Sequence, residues 1–284
     1  MSFAERLARV LETREDLPVL PTTVLQVRAM LEDGPVNVTD LASLIAQDPS
    51  LALRLLKAAN TATLAQSGVS VTDIGVAVEQ LGWERVTSLC MGAGTLRPFD
   101  TGRNLDYQRF WAHSFAVATV AAAIATRRGI GRPSDGYIAG LLHDVGILFM
   151  DQYLPDVFGQ IRALANPDTP RWRQETERLG MDHGQIGARL LERLNLPITV
   201  VAAVAHHHQP PWDPGPSRQL ALLVAAAEAL VNEFGEGLVE EGPTEPSADT
   251  ALAALGFTTG EVSALRIEMA SVAMGSAGRL DAAS

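Results

Sequence analysis

All six histidines of the chain lie between positions 113 and 208, and the segments on either side hold none. They are His113, His143, His183 and the run His206, His207 and His208, and His143 is followed directly by Asp144. Imidazole and carboxylate donors suit a divalent first-row metal such as iron, manganese, zinc or nickel. A helical bundle assembles such a centre, mononuclear or dinuclear, by aiming donors from several helices into its core. What matters is the direction in which each side chain faces.

Helical phase predicts those directions. His113 shares a stripe with Phe110, Val117, Val120 and Ile124. His143 and Asp144 lie within Tyr137 to Met150, a stretch apolar on all sides that reads as one core helix. His183 opens a helix bearing Ile186, Leu190 and Leu194, with Asp182 as its cap. A helix begun by Pro197 carries Val200, Val201 and Val204, and that face continues to His207 and His208 before Pro210 ends it. Glu228 sits between Val224 and Val231 on an apolar stripe, while His206 falls off its stripe and is expected to stay outside. Burying such groups without partners costs several kcal/mol, about 2–7 each. Convergence of His113, His143, Asp144, His183, His207, His208 and Glu228 on a metal would satisfy them together.

The rest of the chain predicts an all-α protein. No segment alternates apolar and polar residues long enough for a strand. Asp48 and Pro49 mark a helix start ahead of Leu51, Leu55 and Leu56. Ser70 with Asp73 resembles a capping box ahead of Ile74, Val78 and Leu81, with Gly82 closing that helix. Residues 97 to 106 read as a connection, and Gly235 to Asp249 as an acidic, solvated loop. Val262, Leu265, Met269 and Val272 follow helical spacing after it. The expected organisation is an N-terminal helical subdomain over 1–100, the histidine-bearing subdomain over 101–236, and the loop with a last helix over 237–284.

Composition narrows the partners. A net charge of −11 argues against nucleic acid and anionic membrane surfaces. The longest apolar run, Leu220 to Val231, is broken by Glu228 and too short to span a bilayer. A single cysteine, Cys90, and an N-terminus unlike a secretory signal point to a cytoplasmic protein.

An isolated His, then His-Asp, then a distal acid resembles the HD superfamily of metal-dependent phosphohydrolases. Gly140-Leu141-Leu142-His143-Asp144-Val145-Gly146 looks like its motif. The HDOD branch, a bacterial signalling-output domain, is similar in further segments. These are Leu17-Pro18-Val19-Leu20-Pro21, Ile45-Ala46-Gln47-Asp48-Pro49, Leu55-Leu56-Lys57-Ala58-Ala59-Asn60, Ala77-Val78-Glu79-Gln80-Leu81-Gly82 and Trp111-Ala112-His113-Ser114. His183 with Ile186-Gly187-Ala188, and His207-His208-Gln209-Pro210, extend the resemblance over residues 17 to 235. It implies an HD-domain-like helical bundle with an N-terminal helical subdomain, and a regulatory role.

Three departures from the catalytic HD-GYP relatives bear on activity. Their lysine after His-Asp-x-Gly is here Ile147. Their Gly-Tyr-Pro signature is replaced by Pro210-Pro211-Trp212-Asp213-Pro214. The superfamily's distal aspartate aligns with Glu228. Phosphoryl transfer needs positive charge on the departing oxygens, and Arg127 or Arg128 would have to fold toward the site to supply it. Two classes of function follow. One is a non-catalytic signalling module that keeps a retained or relic metal site and docks to a signalling protein in trans. The other is a metal-dependent phosphohydrolase acting on a nucleotide or cyclic dinucleotide. The sequence names no oligomeric state.

Overall fold

The protein is described by a computed structural model covering residues 3–14, 17, 21–32, 37–64, 70–93, 104–211, 215–235 and 243–269. Those residues form helices without a strand. The N-terminal helices are α1 (Phe3–Thr13), α2 (Pro21–Glu32), α3 (Val38–Ile45), α4 (Pro49–Leu64), α5 (Ile74–Leu81) and α6 (Trp83–Ala93). The next set is α7 (Tyr107–Arg128), α8 (Pro133–Leu142), α9 (Val145–Tyr153), α10 (Pro155–Ala163), α11 (Arg171–Leu179), α12 (His183–Arg193), α13 (Ile198–Ala205) and α14 (Pro216–Glu233). Then come α15 (Ala248–Ala254) and a helical run over 259–269.

Local chemistry sets the helix starts. Asp48 Oδ1 accepts from the backbone N–H groups of Ser50 and Leu51 at 2.9 and 3.1 Å, capping α4 ahead of Pro49. The cap of α5 is Asp73, which accepts from Val76 N at 3.0 Å, so the capping-box reading on Ser70 is corrected by one turn. Asp106 caps α7, accepting from Arg109 N at 3.1 Å. Asp182 and Gln185 form a reciprocal capping box at the head of α12.

The core of the second half is α7 laid along α8 and α14, with α12 and α13 packed beside them and α9 against α12. Its buried stripes include Phe110, Val117, Val120 and Ile124 of α7 and Leu223, Val224 and Val231 of α14. The α9–α12 contact is unusually close, because a Cβ on Gly146 would stand 2.0 Å from the carbonyl oxygen of His183. Only glycine allows that approach. The N-terminal helices join this body through Tyr137, whose hydroxyl donates to the Ala46 carbonyl at 2.9 Å, and Thr72, which donates to Asp135 at 2.6 Å. Within the N-terminal half, Asn60 clamps residue 71 from both sides, its amide donating to Val71 O and its carbonyl accepting from Val71 N.

Four expectations change. The helix expected over Tyr137 to Met150 is two helices, broken at His143 and Asp144. The helix after Pro197 ends at Ala205, leaving His207 and His208 in the bend that follows. Both breaks occur where a side chain must turn inward off the helical stripe, and a local carbonyl receives its ring N–H instead. The expected solvated loop remains irregular and partly exposed over 243–247, but Thr244 is tied to α14 and Glu245 to α11, and 248–249 already belong to α15. Glu236, Glu240 and Glu241, most of the connection at 97–106, and Val272 lie outside the described residues. Arg127 and Arg128 turn away from the histidines: Arg127 pairs with Glu268 at 2.6 Å, and Arg128 with Glu261 at 3.0 Å while also donating to the Gly256 carbonyl.

Candidate metal centre

Five elements deliver the histidines and acids to one place. His113 comes from the middle of α7, His143 and Asp144 from the α8–α9 break, and His183 from the first position of α12. His207 and His208 come from the bend after α13, and Glu228 from α14. His113, His143, Asp144, His183, His207 and Glu228 are buried, and His208 is half-buried. His206 is exposed, as its phase predicted.

The donors sort into two triads, His113–His143–Asp144 and His183–His207–His208, each with its ligand atoms within 4.8 Å of one another. Asp144 links them. Its Oδ2 lies 3.2 Å from His143 Nε2 and 3.7 Å from His113 Nε2, while its Oδ1 lies 3.1 Å from His183 Nε2. A carboxylate with one oxygen toward each triad has the geometry to serve two ions or to span one. Glu228 joins neither triad but lines a small cavity beside His183 and His208.

Outer partners fix which ring nitrogen each histidine offers. His143 Nδ1 donates to the Gly140 carbonyl and His207 Nδ1 to the Val204 carbonyl, each at 2.7 Å, so both present Nε2 inward. These tautomers follow from the acceptors, since a carbonyl requires an N–H. Glu175 on α11 accepts from His183 twice, from Nδ1 at 2.7 Å and from the backbone N–H at 2.8 Å. Orientation of a metal-ligating imidazole by a carbonyl or carboxylate at its far nitrogen is the usual arrangement. Gly184 opens room for His207, whose Cε1 would stand 2.9 Å from a Cβ there.

The charges agree with a site built for a cation. Burial pushes the His143 imidazole down, but the carboxylates of Asp144 and Glu228 outweigh it and raise it to about 9. Burial likewise lowers His183, and Glu175 and Asp144 more than offset this, leaving it well above the ordinary value. Burial would raise Asp144, yet His143 and His183 hold it well below the usual carboxylate range. His207 and His208 are lowered by burial and by the positive charge of their neighbours, so they stand as neutral donors. Burial, with the Asp144 charge, lifts Glu228 to about 7 against the pull of His143 and His183.

The donor set fits a divalent ion on a direct observation. His143 Nε2, both oxygens of Asp144, His207 Nε2 and His208 Nδ1 are buried and make no hydrogen bond. The short contacts to Asp144 bring charge together without the alignment of a hydrogen bond. His208 Nε2 lies 2.8 Å from His183 Nε2, a contact that a proton on His183 fills in the metal-free protein and a metal ion can take over. Leaving so many buried polar atoms unmatched would cost about 1–3 kcal/mol each. A metal bound to the inward nitrogens and carboxylate removes that cost.

Sequence reasoning missed Glu175 and Arg171. Glu175 lies between Trp172 and Leu179 at spacings of three and four, the same acid-on-an-apolar-stripe signal that singled out Glu228. Arg171 is buried and lines the cavity with His183, His208 and Glu228. No periodicity marks it, because Pro170 at the helix start sets its direction.

The HDOD domain family model matches residues 17–210. The chain belongs to the HDOD domain family. Among curated proteins, it is similar to an uncharacterized protein from Treponema pallidum (strain Nichols), 27% identical over 239 residues, 83% of this chain and 46% of that protein. The chain thus spans about half the length of that relative. Among solved structures, the MmoQ response regulator from Methylococcus capsulatus str. Bath is similar, with a TM-score of 0.74 at 22% identity over 88% of this chain and 98% of its own. An HDOD domain protein of unknown function from Geobacter sulfurreducens gives a TM-score of 0.59 at 25% identity, over 99% and 98% of the two chains. In this HDOD chain no helix of the described residues is long and apolar enough to cross a membrane.

Proposed function

We propose that this chain is a non-catalytic HDOD signalling module, cytoplasmic, whose HD core holds one or two divalent ions in the paired triads and which acts by docking to a partner protein in trans. The observation that carries the reading is the enclosure of the centre. The cavity beside His183, His208 and Glu228 is about 10 Å³, against the hundreds of cubic ångströms that a nucleotide-sized substrate fills. Ile147, at the position of the catalytic branch's lysine, is fully buried in the apolar core.

A divalent ion held here would supply Lewis acidity and a fixed positive charge. The chain's residues supply the rest. Gly140 and Val204 carbonyls fix the rings of His143 and His207, Glu175 fixes His183, and Asp144 links the triads. Docking is supported by a groove of about 410 Å³ where α3 and α5 meet α7 and α8. Thr39, Ser43, Asp73, Glu79, Ser134 and Tyr137 are among its lining residues, and no Lys or Arg is. Its acids suit a basic segment of the partner.

The test is turnover by purified, metal-loaded protein of generic phosphodiesters and cyclic dinucleotides, with metal content measured in parallel. No turnover above background is expected. Turnover comparable to an active HD phosphodiesterase overturns the non-catalytic reading, and a metal-free protein after anaerobic purification overturns the metal centre. The second reading, a metal-dependent phosphohydrolase on a nucleotide or cyclic dinucleotide, is favoured by one observation: Arg171 places a buried cation in the wall of the same cavity.

A further inference from the structure

The half-buried side of the metal centre is covered by a segment from far along the chain. Arg171, Trp172, His183, His208 and Glu228 form one side of the small cavity, and Pro243 and Thr244 form the other. His208 is the least buried of the seven clustered residues, so the shortest way from solvent to the triads runs past it. That way is roofed. Trp172 stacks on the His208 ring with centroids 6.1 Å apart and planes at 17°. The Arg173 guanidinium lies over the Trp172 ring, 5.0 Å from its centroid.

Among the described residues, two tethers hold the covering segment. Asn232 on α14 donates to Thr244 Oγ1 at 2.9 Å, and Arg173 pairs with Glu245 at 2.7 Å. The first is a single neutral hydrogen bond and the second an ion pair about half exposed on each partner. Both are of the kind that contributes little to a folded state. Pro243 and Thr244 are absent from the apolar core, whereas α14 beneath them is buried over most of its length. A segment fastened so lightly over a site built so firmly can lift without disturbing the triads.

We propose that Pro243–Glu245 is a strap that gates exchange at the metal centre, closed in the state described here and released by breaking the Asn232–Thr244 and Arg173–Glu245 tethers. Closed, the strap leaves room at His208 and Glu228 for about one water. Lifted, it uncovers Trp172 and the path past His208 to His183. The inference rests on the metal reading above for what is exchanged, and on geometry alone for the strap.

The test uses the full chain with Glu245→Ala and, separately, Asn232→Ala, neither of which belongs to the triads. Acrylamide quenching of Trp172 is isolated by subtracting the matched Trp172→Phe protein, and it needs no metal. The rate of metal transfer from loaded protein to EDTA is the second readout. Loss of one tether is expected to raise both by about fivefold at most and 1.5-fold at least, the range that a weak surface contact commands. Equilibrium metal content and the helical circular dichroism should stay unchanged. Unaltered quenching in both variants overturns the strap, and so does greater quenching with an unaltered transfer rate. Greater quenching in a protein that takes up no metal upholds the strap and removes the metal reading instead.

Discussion

His183 is held at both ends of its ring, by Glu175 at Nδ1 and by Asp144 at Nε2, and this makes Glu175 the most informative residue to change. Glu175→Gln preserves shape and one hydrogen bond but removes the negative charge behind the imidazole. Metal affinity is expected to fall about 10–100-fold, as for other partners of ligating histidines, measured by competition with a chromogenic chelator. Retention of full affinity would show that His183 is not a ligand. Protonation gives a second prediction. In the metal-free protein His143 titrates at about 9 rather than its ordinary 6.5, because nearby carboxylates outweigh its burial. The raised value means that the folded state binds the proton more tightly, so this contribution is complete below pH 6.5 and is lost as pH rises through 9. The melting temperature of metal-free protein should therefore drop more steeply across that window than that of His143→Gln. Metal uptake near pH 7.5 should release a proton, detectable as a binding enthalpy that varies with buffer ionisation heat.

At the scale of elements, the centre depends on the approach of α9 to α12. Gly146 lies against the His183 carbonyl with no room for a Cβ, and Gly187 of α12 faces Val145 across the same contact. Gly146→Ala must push the two helices apart, and overpacking of this kind costs about 1–3 kcal/mol. Because Asp144 and His183 ride on those two elements, the same change should lower metal content. Urea unfolding and metal analysis of one preparation check both. A variant with normal stability and full metal content would mean that the helices yield without moving the ligands. The break at His143 and Asp144 shows the same coupling: ending α8 there frees the Gly140 carbonyl to orient His143.

At the scale of the molecule, polar contacts join the N-terminal helices to the HD core at two places. At α1 they are Arg6 to Asp156 and Arg193 to the Leu11 and Arg14 carbonyls. Beside α3 and α5 they are Tyr137 to Ala46 and Thr72 to Asp135. The last two flank the groove between α3, α5, α7 and α8, so a partner seated there touches both halves. Each contact contributes about 1 kcal/mol. Removing both, with Tyr137→Phe and Thr72→Val, should loosen the coupling between the halves. Calorimetry of wild type is expected to give one transition that rises with metal, and the double variant a broader one in which metal raises only the later part. A single sharp transition in the double variant would place the coupling elsewhere, in the α1 contacts of Arg6 and Arg193 or in the buried apolar ones.

Much of this architecture was legible from residue order. Stripe phase placed His113, His183 and Glu228 inward and His206 outward, because helical periodicity alone decides which face a side chain takes. The all-helical fold and the HDOD resemblance came from the same local patterns and short motifs. Residue order did not show the breaks at His143–Asp144 and after Ala205, where a side chain's hydrogen bond to a nearby carbonyl outweighs one more helical turn. It also did not show what distant segments do to one another. The strap over Trp172 and His208 joins residues tens of positions apart, Arg171 in the cavity wall turns on a helix start that carries no period, and Glu175, whose stripe marks it as inward, meets His183 only because α11 packs on α12. Local sequence fixes the phase of a side chain along its own helix. Only packing of the helices decides which charges meet, and burial then sets what those charges can hold.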